Sequence, residues 1–253
     1  MRATLLLATL GTTFAVGLAV PLARPMRRLL PLTAALAAAT GVALALWLGR
    51  ALTYEPDHYQ FLIWNLFLAW IPMALALIAA ALLHARTRTT TLLAVAPVAA
   101  WLIFLPNSPY LLTDLIHLVN RADLAAGAPL WLDSVMVGSF AFVGVLLGLC
   151  SLLVIHDAVA RRASPKLGWL TVAASIPACS FGIWLGRFER WNTWDLADKP
   201  TRRVYELAYT LTNPLSNPKM IAVTLTFSTL LAAAYLVLIG VARLNPGQPP
   251  RHS

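Results

Sequence analysis

Tyr110, Asp114, His117 and Arg121 are spaced by four, three and four residues, which at about 100° per residue sets them in one narrow helical stripe. A carboxylate and an imidazole three residues apart can share a metal ion, or the carboxylate can orient the ring as an acid or base. The same ladder can equally be a solvated face, each neighbouring pair adding roughly a few tenths of a kcal/mol. Just upstream lies Pro106-Asn-Ser-Pro109. Both prolines lack a backbone donor and disfavour helix in the residue before them, so the spacing predicts an interrupted helix. The carbonyls freed there need partners, and Asn107, Ser108 and Tyr110 are the nearest.

A second polar region crowds Arg187, Glu189, Arg190, Asn192 and Asp195 into a short stretch with Trp191 and Trp194. Arginine forks suit an anionic group, and Glu189 or Asp195 offers a carboxylate to a metal or a proton relay. The competing reading is an interfacial anchor, with indoles at headgroup level and guanidinium groups on lipid phosphate. We take Asp114, His117, Glu189 and Asp195 as candidate catalytic groups. Asn107, Tyr110, Arg187, Arg190, Asn192 and Trp194 are the candidate substrate-binding groups. Glu55, Asp57 and His58 are further possible ligands, and no metal or cofactor is assigned. The sequence contains no HExxH, GxSxG, HxxxH or phosphate-cradling glycine loop, so no named mechanism follows.

The elements that must position these groups are membrane spans. Hydrophobic residues make up 59% of the 253 and charged ones 11%, against about 25% charged in soluble domains, an excess that a soluble core cannot hide. A bilayer core about 30 Å thick takes about 20 apolar helical residues. Seven runs meet that need: Thr4–Pro21, Leu29–Trp47, Phe61–Leu83, Thr91–Leu105 (reaching toward Tyr110), Leu130–Ile155, Leu167–Gly186 and Met220–Val241. The first follows Arg2 and precedes Ala-Val-Pro-Leu-Ala, as in a secretory leader. Its length and the arginines after it read instead as a retained span. The expected fold is all-α: a bundle of about seven spans with short interfacial helices after the fourth and sixth. Residues 1–243 are expected to form one membrane domain and 244–253 a short disordered tail. Arg202 to Leu211 reads as the second surface helix, ended by Asn213-Pro214.

The nineteen Lys and Arg give a net charge of +9, but they lie between apolar runs and form no continuous basic face, which argues against nucleic acid as partner. Their distribution sets orientation. Arg24, Arg27, Arg28, Arg86, Arg88, Arg161, Arg162 and Lys166 fall in odd-numbered loops, whereas the second and fourth hold Arg50 and Arg121 beside acids. Odd loops then face the cytoplasm, the N-terminus lies outside and the C-terminus inside. The sixth loop carries six basic residues and dissents, although long segments follow the rule less strictly. Alternate threading delivers the Tyr54–Tyr59 loop and both polar regions to one extracytoplasmic face, where they are expected to converge. Asp133 opens the fifth span as a cap or as part of that cluster, and His156-Asp157 reads as a polar cap at its inner end. Gly144-x-x-x-Gly148 and Gly182-x-x-x-Gly186 suit close helix packing, Pro72, Pro97 and Pro177 suit kinks, and Cys150 and Cys179 read as small apolar packers.

At Trp101, Phe104-Leu-Pro-Asn107, Pro109-Tyr110, Thr113-Asp114 and His117-Leu118, and later at Arg187 with Arg190-Trp-Asn-Thr-Trp-Asp195, the chain resembles the bacterial membrane-protein family catalogued as domain of unknown function 1361. Position 193 is Thr where Ser is expected, which keeps a hydroxyl. The resemblance implies a polytopic protein of the bacterial cytoplasmic membrane and assigns no activity, cofactor or catalytic residue.

Three functional classes remain. The leading one is a membrane-embedded enzyme or binder whose outer polar site takes a lipid headgroup or small anion. The second is a small-solute transporter or channel, suggested by the interrupted fourth span. The third is a structural or assembly partner, suggested by glycine-lined helix surfaces.

Overall fold

The computed structural model describes residues 24–54, 59–119, 128–191 and 200–243. Among these residues the chain is entirely helical apart from turns. A short 3-10 turn, Arg24–Leu29, leads into α1 (Leu30–Thr53), whose second residue, Pro31, needs no donor at a helix start. Next come α2 (Phe61–His84), α3 (Arg88–Leu93), α4 (Val95–Phe104) and the single turn α5 (Asn107–Tyr110). A 3-10 turn over Leu111–Leu115 passes into α6 (Ile116–Val119). The long α7 (Leu130–Arg162), α8 (Pro165–Arg187), α9 (Pro200–Thr212) and α10 (Pro218–Arg243) complete the order.

Six helical stretches among the described residues are long and apolar enough to cross a membrane: Arg27–Thr53, Phe61–His84, Arg88–Val119, Leu130–Arg162, Pro165–Arg187 and Pro218–Ala242. The protein is a multi-pass membrane protein. Each of these six contains one of the expected apolar runs almost entirely. The expected first span, Thr4–Pro21, lies outside the described residues, as do the 244–253 tail and Glu55, Asp57 and His58. The surface helix expected over Arg202–Leu211 is α9, and it ends where Asn213 meets the Tyr209 carbonyl through both its backbone and its side-chain nitrogen.

The chain divides into two compact units, 1–168 and 169–253, with the boundary in the first turn of α8. In the first unit, α2 and α7 form the centre, with α1, α4, α5 and the Leu111–Leu115 turn packed around them. Met73, Ala76, Met136, Phe140, Leu147 and Ile155 are fully buried there. In the second unit, the edge of Trp169 meets Tyr235 at 6.5 Å between ring centroids, and the Lys219 ammonium lies 4.1 Å from the centre of the Phe188 ring. The side chain of Asn217 caps α10 by accepting from the Met220 amide at 3.0 Å.

Proline explains how the span Arg88–Val119 is broken. Pro97 has no N–H to offer the Leu93 carbonyl, and α3 stops at Leu93 before α4 resumes at Val95. At Pro106-Asn-Ser-Pro109 the helix is interrupted as the sequence predicts, yet the chain does not change direction sharply. Leu105, Pro106, Tyr110 and Leu111 all keep right-handed helical angles, and the disturbance is confined to the hydrogen bonds. The Ser108 amide reaches Leu105 instead of Phe104, and the Asn107 side-chain amide takes the Phe104 carbonyl at 3.0 Å.

The span built by α7 departs from expectation at its C-terminal end. His156-Asp157 does not cap it, because α7 runs on to Arg162 and Asp157 forms an exposed ion pair with Arg161 one turn later. That i,i+4 pair joins the macrodipole in favouring about two more turns of helix beyond the apolar run.

Candidate functional site

The interrupted turn is held against two helices. Ser108, fully buried, donates its hydroxyl to the Ala69 carbonyl of α2 at 2.8 Å. That carbonyl neighbours the one that Pro72 leaves without a donor, so the serine serves the loosened turn of a second proline-containing helix. On the other side α7 presents glycines. A Cβ on Gly144 would collide with the Ser108 carbonyl oxygen and lie 2.8 Å from a Leu111 methyl, and one on Gly148 would sit 3.2 Å from Pro109 and Ser108 carbons. The expected Gly144-x-x-x-Gly148 close approach is therefore to the Asn-Ser-Pro-Tyr turn. One turn further along α7, Ser151 accepts from the buried Trp101 indole at 3.1 Å and donates to the Gly148 carbonyl at 2.8 Å.

This packing delivers Asp114 to the interior. Its residue surface is 1% exposed, and its carboxylate accepts from the Asn65 side-chain amide of α2 at 2.8 Å. A solvated ladder is thus the wrong description of this position. Because Leu111–Leu115 is 3-10, successive residues turn by about 120°, which shifts Asp114 away from the uniform α-helical stripe. His117, half-buried, lies with its ring 4.7 Å from that of Phe61, the first residue of α2. Tyr110 is half-buried, and its carbonyl accepts from the Thr113 hydroxyl at 2.7 Å. Arg121 lies outside the described residues.

Beside this group is a second buried cluster that the sequence reading missed. Arg50, placed there in a loop, is the last-turn arginine of α1 and is 3% exposed; its Nε donates to Asp133 Oδ1 at 2.7 Å. Asp133 is fully buried, so it is neither a simple cap nor an external ligand. The Tyr59 hydroxyl reaches Asp133 Oδ2 at 3.3 Å, and the Arg50 guanidinium carbon stands 4.7 Å above the Tyr59 ring. Trp47 donates its indole N–H to the Tyr59 carbonyl at 3.2 Å. The Phe61 ring, 6.2 Å from Tyr59 and 4.7 Å from His117, links the two clusters.

Arg50 ends α1, Tyr59 precedes α2, Asn65 lies about 6 Å along α2 from Phe61, and Asp133 sits in the first turn of α7. All of these groups therefore occupy one end of the first unit. Charged side chains inside a membrane protein require this kind of internal pairing, since one left alone at the bilayer centre costs about 2.5–3.5 kcal/mol. The signal that could have found Arg50 and Asn65 is the presence of a polar residue near the end of an otherwise apolar run.

Arg187, Glu189 and Arg190 belong to the second unit, while Asn192, Trp194 and Asp195 lie outside the described residues. Arg187 closes α8; Glu189 and Arg190 are exposed. The exit of α8 is tightly shaped. Arg190 takes φ 54°, in the left-handed region where glycine is usual, and the Trp191 amide bonds back to the Leu185 carbonyl at 3.1 Å. That bond reaches six residues back, one more than the six-to-one bond of a Schellman helix end, so α8 closes in a wider turn with arginine in the left-handed position. Among the described residues no three of His, Cys, Asp and Glu come together as a metal-holding group.

No curated protein and no solved structure matches the chain. Residues 64–234 match the family described as Protein of unknown function (DUF1361), a stretch that holds the interrupted turn, Asp114, His117, Asp133 and the α8 exit, and the chain belongs to that family.

Proposed function

We propose that this protein is a membrane-embedded enzyme or binder of the bacterial cytoplasmic membrane whose polar site lies at the extracytoplasmic end of the first unit and takes a lipid headgroup or small anion. One observation carries the reading: separate elements bring Arg50, Tyr59, Asp114 and Asp133 into the interior at a single end of the bundle, with the part-buried Asn65 bonded to Asp114. Apolar packing would hold the same helices at least as well, because replacing buried ion pairs by hydrophobic residues is often neutral or stabilising. Ionisable groups retained inside a membrane protein point first to function.

In this reading Asp114 and His117 are the reacting or ligand-orienting pair, with Asn65 fixing the carboxylate. Arg50, Asp133 and Tyr59 hold the neighbouring helix ends in register. Asn107 and Tyr110 position the turn. Arg187, Glu189, Arg190, Asn192, Trp194 and Asp195 are proposed as a headgroup-contacting segment in their own right. The test is thermal unfolding of the purified chain with soluble short-chain phosphatidylglycerol and, separately, inorganic phosphate. Wild type is expected to be stabilised by one of them, and Asp114→Asn and His117→Gln each to lessen that shift. Stabilisation by neither probe, or a shift that neither substitution reduces, would overturn the reading.

The interrupted span Arg88–Val119 favours a second reading, transport of a small solute, since transporters place binding groups where helices unwind. Solute uptake into proteoliposomes that Asp114→Asn abolishes would favour it over catalysis.

A further inference from the structure

The opposite end of the first unit carries a different chemistry. The loop between α2 and α3 and the corner between α7 and α8 lie together there: the Arg86 guanidinium donates to the Arg161 carbonyl at 3.2 Å, and Arg162 Nε donates to the Thr91 hydroxyl at 3.0 Å. Neither contact is incidental. Arg86 stands at φ 56°, a left-handed conformation that costs a non-glycine residue energy, and Thr87 next to it caps the following helix by accepting from the Thr90 amide at 3.0 Å. At the corner, α8 starts hard against α7, since a Cβ on Gly168 would lie 2.7 Å from the His156 ring and 2.8 Å from the Ala160 methyl. Lys166 is thereby fixed beside the end of α7, in the acid-free first turn of α8.

The charge of this platform is one-sided. Arg86, Arg88, Arg161, Arg162 and Lys166 face one carboxylate, Asp157, already bound to Arg161; residues 81–95 and 158–168 contain no Asp or Glu. Next to the basic groups the surface turns apolar at once, with Leu92, Leu93 and Val95 each more than half exposed and Leu167 following Lys166. An anionic head over guanidinium groups, continuous with an apolar tail along a helix, is the shape of a phospholipid. A soluble anion has no use for the leucines, and a nucleic acid has no access to them.

We propose that this platform is a binding site for an anionic phospholipid, with the phosphate on Arg86, Arg88 and Arg162 and an acyl chain along Leu92 and Val95. The site is independent of the one proposed at the other end. The full-length chain is reconstituted into nanodiscs of equal phosphatidylglycerol and phosphatidylcholine, released, and its retained lipid identified by native mass spectrometry. Phosphatidylglycerol should be enriched in wild type, and Arg86→Gln and Arg162→Gln should each lower that enrichment by about fivefold, more weakly at high salt. Arg88→Gln removes a charge without touching either inter-loop bond and should act likewise, which keeps the test open if the other variants misfold. Equal retention of the two lipids, enrichment that survives Arg88→Gln, or displacement by inorganic phosphate alone would overturn the proposal.

Discussion

Replacing Arg50 alone strands a carboxylate that has no access to water, because the Asp133 side chain is 0% exposed. Leaving one member of a buried pair uncompensated costs about 3–5 kcal/mol, whereas removing both with apolar residues of similar size often costs little. Arg50→Met is therefore expected to lower the unfolding free energy by about 3–5 kcal/mol, and Arg50→Met with Asp133→Leu to recover most of it. Denaturant unfolding in mixed micelles, followed by circular dichroism, reads this directly; a single variant as stable as wild type would show that the pair contributes nothing to the fold. At this scale the sequence was only partly legible. Asp114 and His117 stand out because their spacing is local. Arg50 and Asp133 are 83 residues apart, so no periodicity announces that they meet. The same distance hid Asn65, whose role is defined wholly by a carboxylate 49 positions later.

The helices themselves were far easier to recover, since an apolar run long enough for a bilayer leaves the backbone few alternatives to helix. Their ends were less so. α7 outruns its apolar stretch as far as Arg162, and α1 carries Arg50 inside what reads as a loop. The turn after α4 was legible in kind, through its two prolines, but not in geometry. A 3-10 turn at Leu111–Leu115 rotates Asp114 into the bundle because α2 and α7 offer Asn65 and two glycines there, a tertiary fact with no local signature. Those glycines give a graded prediction. Gly144→Ala drives a methyl into backbone, which cannot swing aside, and should cost about 1–3 kcal/mol of stability. Gly148→Ala meets carbons at 3.2 Å that need shift only slightly, so it should cost less. Thermal unfolding of the two variants in one detergent checks the order, and an equal or reversed ranking would contradict the packing described.

Across the first unit the two ends differ in kind: one pairs its charges internally, the other leaves a basic surplus at Arg86, Arg88, Arg162 and Lys166. With Arg50 neutralised inside the bundle, the positive-inside argument for a cytoplasmic location of the basic end grows stronger than the loop count alone made it. Because Cys150 and Cys179 are buried, single added cysteines give a clean readout. Arg88→Cys and Lys166→Cys are expected to resist a membrane-impermeant maleimide in intact cells, and Glu189→Cys to react; labelling of the first two would invert the orientation.

The Arg50–Asp133 link also has a consequence for biosynthesis. As the ribosome extends the chain, the arginine enters the translocon long before its carboxylate exists, and two more spans must be made in between. A nascent protein of that length has an unmatched cation at the end of an inserted helix, which can stay hydrated only by lingering at the headgroup layer. Seating of α1 against α7 is therefore a late event, and a product cut short before Leu130 keeps an α1 whose arginine has no carboxylate to close on.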